Sequence, residues 1–377
     1  MESRLSIGRG HDRLTSVAFY LPQFHPVPEN DRWWGAGFSE WHNVVRAKPL
    51  FPGHYQPHLP ADLGFYDLRL PETSHAQAQL ASEYRVEGFC YYHYWFHGER
   101  LLSAPLDRVL QSGQPSFPFM LCWANENWTR SWDGGATTVL MEQRYSAEDD
   151  IEHARWLGAA FQDDRYIRID GRPALLVYRA HRLPAAPQTV ERWRRVWDSM
   201  GIAQPYLAAV ESFPDELGDP AELGFDGVVA FAPQWARLQL RFKTNRVLRM
   251  LAERHVIPAA LGHSYADYTA TALRAARRPN DHFERVETVT PGWDNTPRRR
   301  SGGLVLCHSR PAEYGRWVEL ASERALLSDG PSLIMVNAWN EWAEGAHLEP
   351  DRRYGHAYLQ AHRQAVERVE AARQRSA

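Results

Sequence analysis

Cysteine is scarce in this chain. Its three residues, Cys90, Cys122 and Cys307, are far apart and form no CxxC pair, which excludes a disulfide framework and a thiolate metal site. No apolar run reaches transmembrane length, and the opening MESRLSIGRGHDRL lacks the apolar core of a signal peptide. A soluble protein of the reducing cytoplasm, without membrane insertion, is therefore expected. A formal net charge of -3 leaves no basic field for nucleic acid. Despite 17 histidines there is no HExxH pair and no tight His/carboxylate spacing, so neither a metal nor any other cofactor is expected. The GxSxG elbow of serine hydrolases is also missing.

What the chain has in excess is aromatic: 12% of its residues, including 15 tryptophans. Trp mostly serves cores and binding surfaces, so position matters. Short, nearly continuous apolar runs predict strands at 16–24, 87–96, 117–123, 173–179, 205–211, 226–232, 285–290 and 332–338. Helical patterns lie at 71–84, 147–163, 187–200, 264–278, 311–327 and 354–375. Strands buried on both faces and alternating with helices predict an α/β fold, a single (β/α)8 TIM barrel with long loops at the C-terminal face of the strands. An open doubly wound sheet fits less well, because Tyr20-Leu21-Pro22-Gln23 stands where a phosphate loop belongs. The organisation expected is an N-terminal extension (1–15), a catalytic barrel (16–362) and a helical tail (363–377).

Barrel enzymes carry their chemistry where strands end. Here those ends hold Trp34, Glu40 and Trp41, then Tyr92, Tyr94 and Trp95, and then Asn125, Glu126, Trp128 and Trp132. Trp235, Trp293 and Asp294 follow in later loops, and NAWNEWAEGAHLEP (337–350) comes last, with Asn340, Glu341, Trp342 and Glu344. Any one of these tryptophans is explained as well by loop packing as by ligand contact. The set is not, since structural aromatics have no reason to favour one end of a barrel. Aromatic planes for sugar faces, with dense polar groups for hydroxyls, point to a carbohydrate substrate. A helix starting after Asn337 would put Glu341 and Glu344 at i and i+3, about 5–6 Å apart at Cβ. So close a pair holds one proton between them and acts as acid and base. Glu126 is an alternative carboxylate partner for Glu341, although hydroxyl recognition is the preferred role for Asn125 and Glu126.

The stretches AFYLPQFHPVPENDRWWGAGFSEWHNV, GFCYYHYWFHG, CWANENWTRSWDG, GWDNTPRR and NAWNEWAEGAHLEPD resemble those of WbsX-type, glycoside hydrolase family 99-like proteins, from about residue 16 to 362. Such proteins are often encoded in bacterial surface-polysaccharide clusters and often labelled glycosyltransferases. The resemblance implies a (β/α)8 barrel and a retaining, metal-independent glycosidase acting on an α-linked glycan. Family 99 proper acts on mannose-containing substrates and places its two catalytic acids in an N-E-W-x-E-G segment, here Asn340 to Gly345. It implies that Glu341 activates the sugar 2-hydroxyl to give a 1,2-anhydro intermediate and that Glu344 serves as general acid, then base. The other signature stretches differ from family 99 proper, so mannose specificity does not transfer. A glycosyltransferase of O-antigen biosynthesis is the alternative, although no DxD-like site supports sugar-nucleotide chemistry.

Overall fold

The computed structural model describes residues 5–10, 13–130, 135–279 and 281–375. Eight strands pair parallel and in chain order: β1 (Thr15–Tyr20), β2 (Gly88–Phe96), β3 (Phe119–Trp123), β4 (Arg172–Val177), β5 (Tyr206–Glu211), β6 (Gly227–Ala230), β7 (Glu284–Val289) and β8 (Leu333–Val336). Strand β8 returns to pair with β1, Leu333 opposite Thr15, and closes the barrel. The protein is a (β/α)8 barrel. Closure explains the composition of the strands. Each has core on one side and helices on the other, so β8 is buried at all four positions.

Helices Pro71–Glu83, Ala104–Ser112, Ala147–Phe161, Ala186–Ser199, Tyr268–Ala276, Pro311–Leu327 and Ala357–Gln374 cover the barrel. The helix at 147 starts where its sequence dictates: the Ser146 side chain accepts from the Asp149 amide at 3.1 Å, and three acids occupy the first turn. Between β5 and β6 only 3-10 turns occur, at Pro214–Glu216 and Pro220–Leu223.

One reading from the sequence changes here. The helix expected over 264–278 begins instead as a strand, Ser264–Asp267, which pairs with Leu304–Cys307; the Asp267 side chain then caps Tyr268–Ala276. Partners distant in sequence override the local period there. The last helix, Ala357–Gln374, lies within the span 354–375 read from the sequence and packs along Pro311–Leu327. Among the described residues no helix is long and apolar enough to cross a membrane.

Candidate active site

Past β8 the chain does not enter the expected α-helix. Asn340–Glu341 instead pairs antiparallel with Ala346–His347, and Trp342–Glu344 between them forms a 3-10 turn. Gly345 makes the reversal with a φ of +59°, a left-handed conformation that costs glycine nothing. A Cβ there would lie 3.2 Å from Asp294, and one on Gly292 would lie 2.8 Å from the Gly345 carbonyl oxygen. The loops after β7 and β8 thus touch backbone to backbone, and the Asp294 amide donates to the Glu344 carbonyl at 2.6 Å. A 3-10 turn has three residues per turn, so positions three apart eclipse. Glu341 and Glu344 therefore share a side after all, by a different route from the one the sequence suggested.

Both meet Arg298. Its guanidinium reaches Glu40 Oε1 through Nε at 2.6 Å, Glu341 Oε2 at 2.8 Å and Glu344 Oε1 at 2.8 Å. Arg298 ends the turn Thr296–Arg298, which Asp294 nucleates by accepting from the amide and hydroxyl of Thr296 at 3.0 and 2.7 Å. Three carboxylates crowd one guanidinium in a buried place, with Arg299 near Glu344 as a second cation. Burial pushes the Glu341 carboxyl up to about 8; Arg298 opposes the rise, and Glu344 and Glu40 add to it. Burial likewise raises Glu40, against Arg298 and Asn43. A carboxyl poised near neutrality can exchange a proton in either direction.

Glu341 and Glu344 face a cavity of about 520 Å³ at the C-terminal ends of the strands. Trp34, Tyr92, Tyr94, Glu126, Trp128, Trp235 and Trp293 line it too. Trp128 meets Trp33 and Tyr94 edge-on at 5.8 and 5.2 Å, while Trp235 stacks on Phe213 and meets Trp293 edge-on at 5.9 Å. Burial, followed by the charge of Glu341, holds the Tyr94 phenol well above its ordinary range, so it stays a neutral donor.

The remaining residues picked from the sequence sit elsewhere, each with its own partners. Glu40 is fully buried between Arg298 and Asn43, behind the cavity. Trp41 donates to the Tyr66 carbonyl at 2.8 Å and packs on Trp342. Trp95 donates to Asp149 at 2.9 Å and stacks on His153. Asn125 exchanges hydrogen bonds with the Arg179 backbone, tying the ends of β3 and β4, and Asn340 does the same with Leu21 at the end of β1. Asp294, held by His54 and Gln56 as well as Thr296, positions both loops from behind. None of these six lines the cavity. Glu126 does, with one oxygen bound to Arg179 at 2.5 Å. Trp132 lies outside the described residues.

Trp342, also away from the cavity wall, stacks on His347 at 3.8 Å and donates to Glu349 at 2.7 Å. Glu349 is a buried hub that accepts from Gln77 and Tyr66 as well, at 2.6 and 2.7 Å. Burial raises its carboxyl to about 7 against those donors. Glu349→Leu strands three buried donors at about 1–3 kcal/mol each, so a loss of several kcal/mol is expected in denaturant unfolding. An unchanged midpoint would show that Glu349 does not hold this platform.

Arg298 is the site residue that sequence reasoning passed over, although it stands within GWDNTPRR. Tyr178, directly after β4, lines the cavity too and met the strand-end criterion. Neither shows its role without the charges or rings around it.

Residues 16–362 match the family described as glycosyltransferase WbsX. The chain belongs to the WbsX family. It is 44% identical over 358 residues to protein WxcX of Xanthomonas campestris pv. campestris, covering 94% of this chain and 50% of the relative. The chain thus spans about half the length of the curated relatives it matches. Among solved structures, the GH99 endo-alpha-mannosidase from Bacteroides thetaiotaomicron shares its fold, with a TM-score of 0.56, 15% identity and coverage of 96% of this chain and 99% of that one. A second, a glycoside hydrolase-like protein, gives a TM-score of 0.55 at 16% identity, over 97% of each chain. This chain therefore shares the barrel fold of that GH99 enzyme.

Proposed function

We propose that this WbsX-family chain is a retaining glycoside hydrolase acting on an α-linked bacterial polysaccharide or oligosaccharide, with a reaction that needs no metal. The observation that carries the proposal is the Arg298 cluster, which aims Glu341 and Glu344 into an aromatic-walled cavity at the catalytic end of the barrel. In the first step Glu341 takes the proton of the sugar 2-hydroxyl, and that oxygen attacks the anomeric carbon. Glu344 protonates the departing glycosidic oxygen as its bond to the anomeric carbon breaks. A 1,2-anhydro sugar results. In the second step Glu344 accepts a proton from water, which attacks the same carbon, while Glu341 returns its proton to the 2-oxygen. Two inversions give retention. This route differs from the usual retaining scheme in having no covalent glycosyl-enzyme. The tryptophans offer planes for sugar faces, and the tyrosine hydroxyls and Glu126 offer hydrogen bonds to sugar hydroxyls.

The family description favours a second reading, a glycosyltransferase that builds such a glycan. One experiment separates the two. The chain is incubated with oligosaccharides from bacterial surface polysaccharides, with and without sugar nucleotides, and the products are read by mass spectrometry and by NMR of the new anomeric centre. Shorter fragments with retained α configuration, formed without nucleotide, are expected. Growth of the glycan only when a sugar nucleotide is present would establish the transferase reading in its place.

A further inference from the structure

A second cavity, of about 320 Å³, lies behind the glutamate hairpin and shares Trp293 with the first. His58, His347 and Asp351 line it, with one ligand atom from each within 4.8 Å of the others. We propose that these three side chains form a site for a first-row divalent ion, zinc above all. Three observations support this.

First, His58 Nδ1 and His347 Nε2 face each other at 2.8 Å, so at most one of the two carries a proton and at least one lone pair points at the other ring. Second, the ligands are oriented in advance. His347 Nδ1 lies 3.0 Å from the Glu349 carbonyl oxygen, to which it donates; that places the lone pair on Nε2. Its ring is clamped against Trp342, and the His58 ring stacks on Tyr55 at 4.2 Å. Asp351 is fixed by the amides of Arg353 and Tyr354, at 3.0 and 2.6 Å, both on Oδ1. Third, the three face open volume, which leaves room for water as a fourth ligand.

Tetrahedral zinc with bonds of about 2.0–2.1 Å holds its ligand atoms about 3.3 Å apart. The two nitrogens would have to part by about 0.5 Å and the carboxylate to draw inward, which is a side-chain adjustment. The ion takes the place of the hydrogen between the imidazoles, with His58 carrying its proton on Nε2. Two nitrogen donors and one carboxylate suit zinc, cobalt or copper and disfavour magnesium and calcium. Bound there, the ion would staple the loop after β1 to the segment 345–351 that follows Glu344. It takes no part in the proton transfers proposed above.

The test uses the tag-free full chain, stripped with a chelator and titrated with Co2+ and then Zn2+. One saturable equivalent with a tetrahedral Co2+ visible band, displaced by Zn2+, is expected. Zinc should raise the thermal midpoint, and His58→Ala should weaken binding at least about 100-fold. Structural zinc binds far below about 1 μM, so the absence of a saturable equivalent in that range overturns the proposal, as does a His58→Ala chain that binds equally well. Should His58→Ala fail to fold, the wild-type Co2+ band and a Cu2+ spectrum decide; a spectrum without two-nitrogen coupling sinks the site. Chelation should lower the thermal midpoint and leave turnover at low temperature intact, so the result stands apart from whether the chain is a hydrolase.

Discussion

Glu344→Gln is expected to lose turnover in proportion to how poor the leaving group is. General acid catalysis is worth roughly 100- to 10,000-fold, so native glycosidic linkages should suffer by about that factor. Aryl glycosides with good leaving groups should keep far more of their rate. Glu341→Gln should disable both kinds of substrate, because the 2-hydroxyl needs a base whatever departs. Both variants should still bind glycan, since Trp128, Trp235 and Trp293 are untouched. The pH dependence follows from the same assignment. As a base, Glu341 must be unprotonated, and burial holds it up to about 8. Glu344 must still carry its proton as general acid, so the pair has to hold one proton in all, and wild-type kcat/KM should fall as pH rises through that region, where the last proton is lost. Kinetics on one good and one poor leaving group, beside a binding titration, decide the matter. Near-wild-type turnover by both variants on every substrate would make these glutamates structural and the mechanism wrong.

Arg298→Met should be the most damaging single change outside the acid pair. It removes the cation that holds Glu40, Glu341 and Glu344 together, and breaking a buried ion pair costs about 3–5 kcal/mol. Turnover should fall by about 100- to 1,000-fold, the scale seen when fixed electrostatic support is lost. Because Arg298 lowers the carboxyl of Glu341, its removal should move the alkaline limb of the pH profile to higher pH. A merely structural role would not move that limb. Arg298→Lys keeps the charge but not the fork of donors that reaches three acids at once, so it should rescue stability better than rate. A profile that stays in place, with only the melting temperature changed, would reduce Arg298 to a packing residue.

The barrel was legible strand by strand, though not to the residue at the strand ends. Leu333-Ile334-Met335-Val336 and its seven counterparts read as doubly buried strands, and those are the strands that close. The residues that stand on their ends were also legible, since Trp34, Tyr94, Trp128, Trp235, Trp293, Glu341 and Glu344 all face one cavity. What separates Trp128 from Trp95, or Glu126 from Asn125, was not. Each pair lies on similar ground in the chain, but Trp95 finds Asp149 and His153, and Asn125 finds Arg179.

Local physics sets strand burial and the polarity of strand ends, because apolar period and residue type act over a few positions. The partner of a buried polar group is set by chain segments far apart. Arg298 meets Glu40 across 258 residues, and His58 meets His347 across 289. The sequence by itself determined a barrel with an acid- and tryptophan-rich mouth. Only the tertiary structure decided which acids share a cation, which tryptophans line the cavity and which histidines face one another, because those contacts exist only once the eight strands have closed.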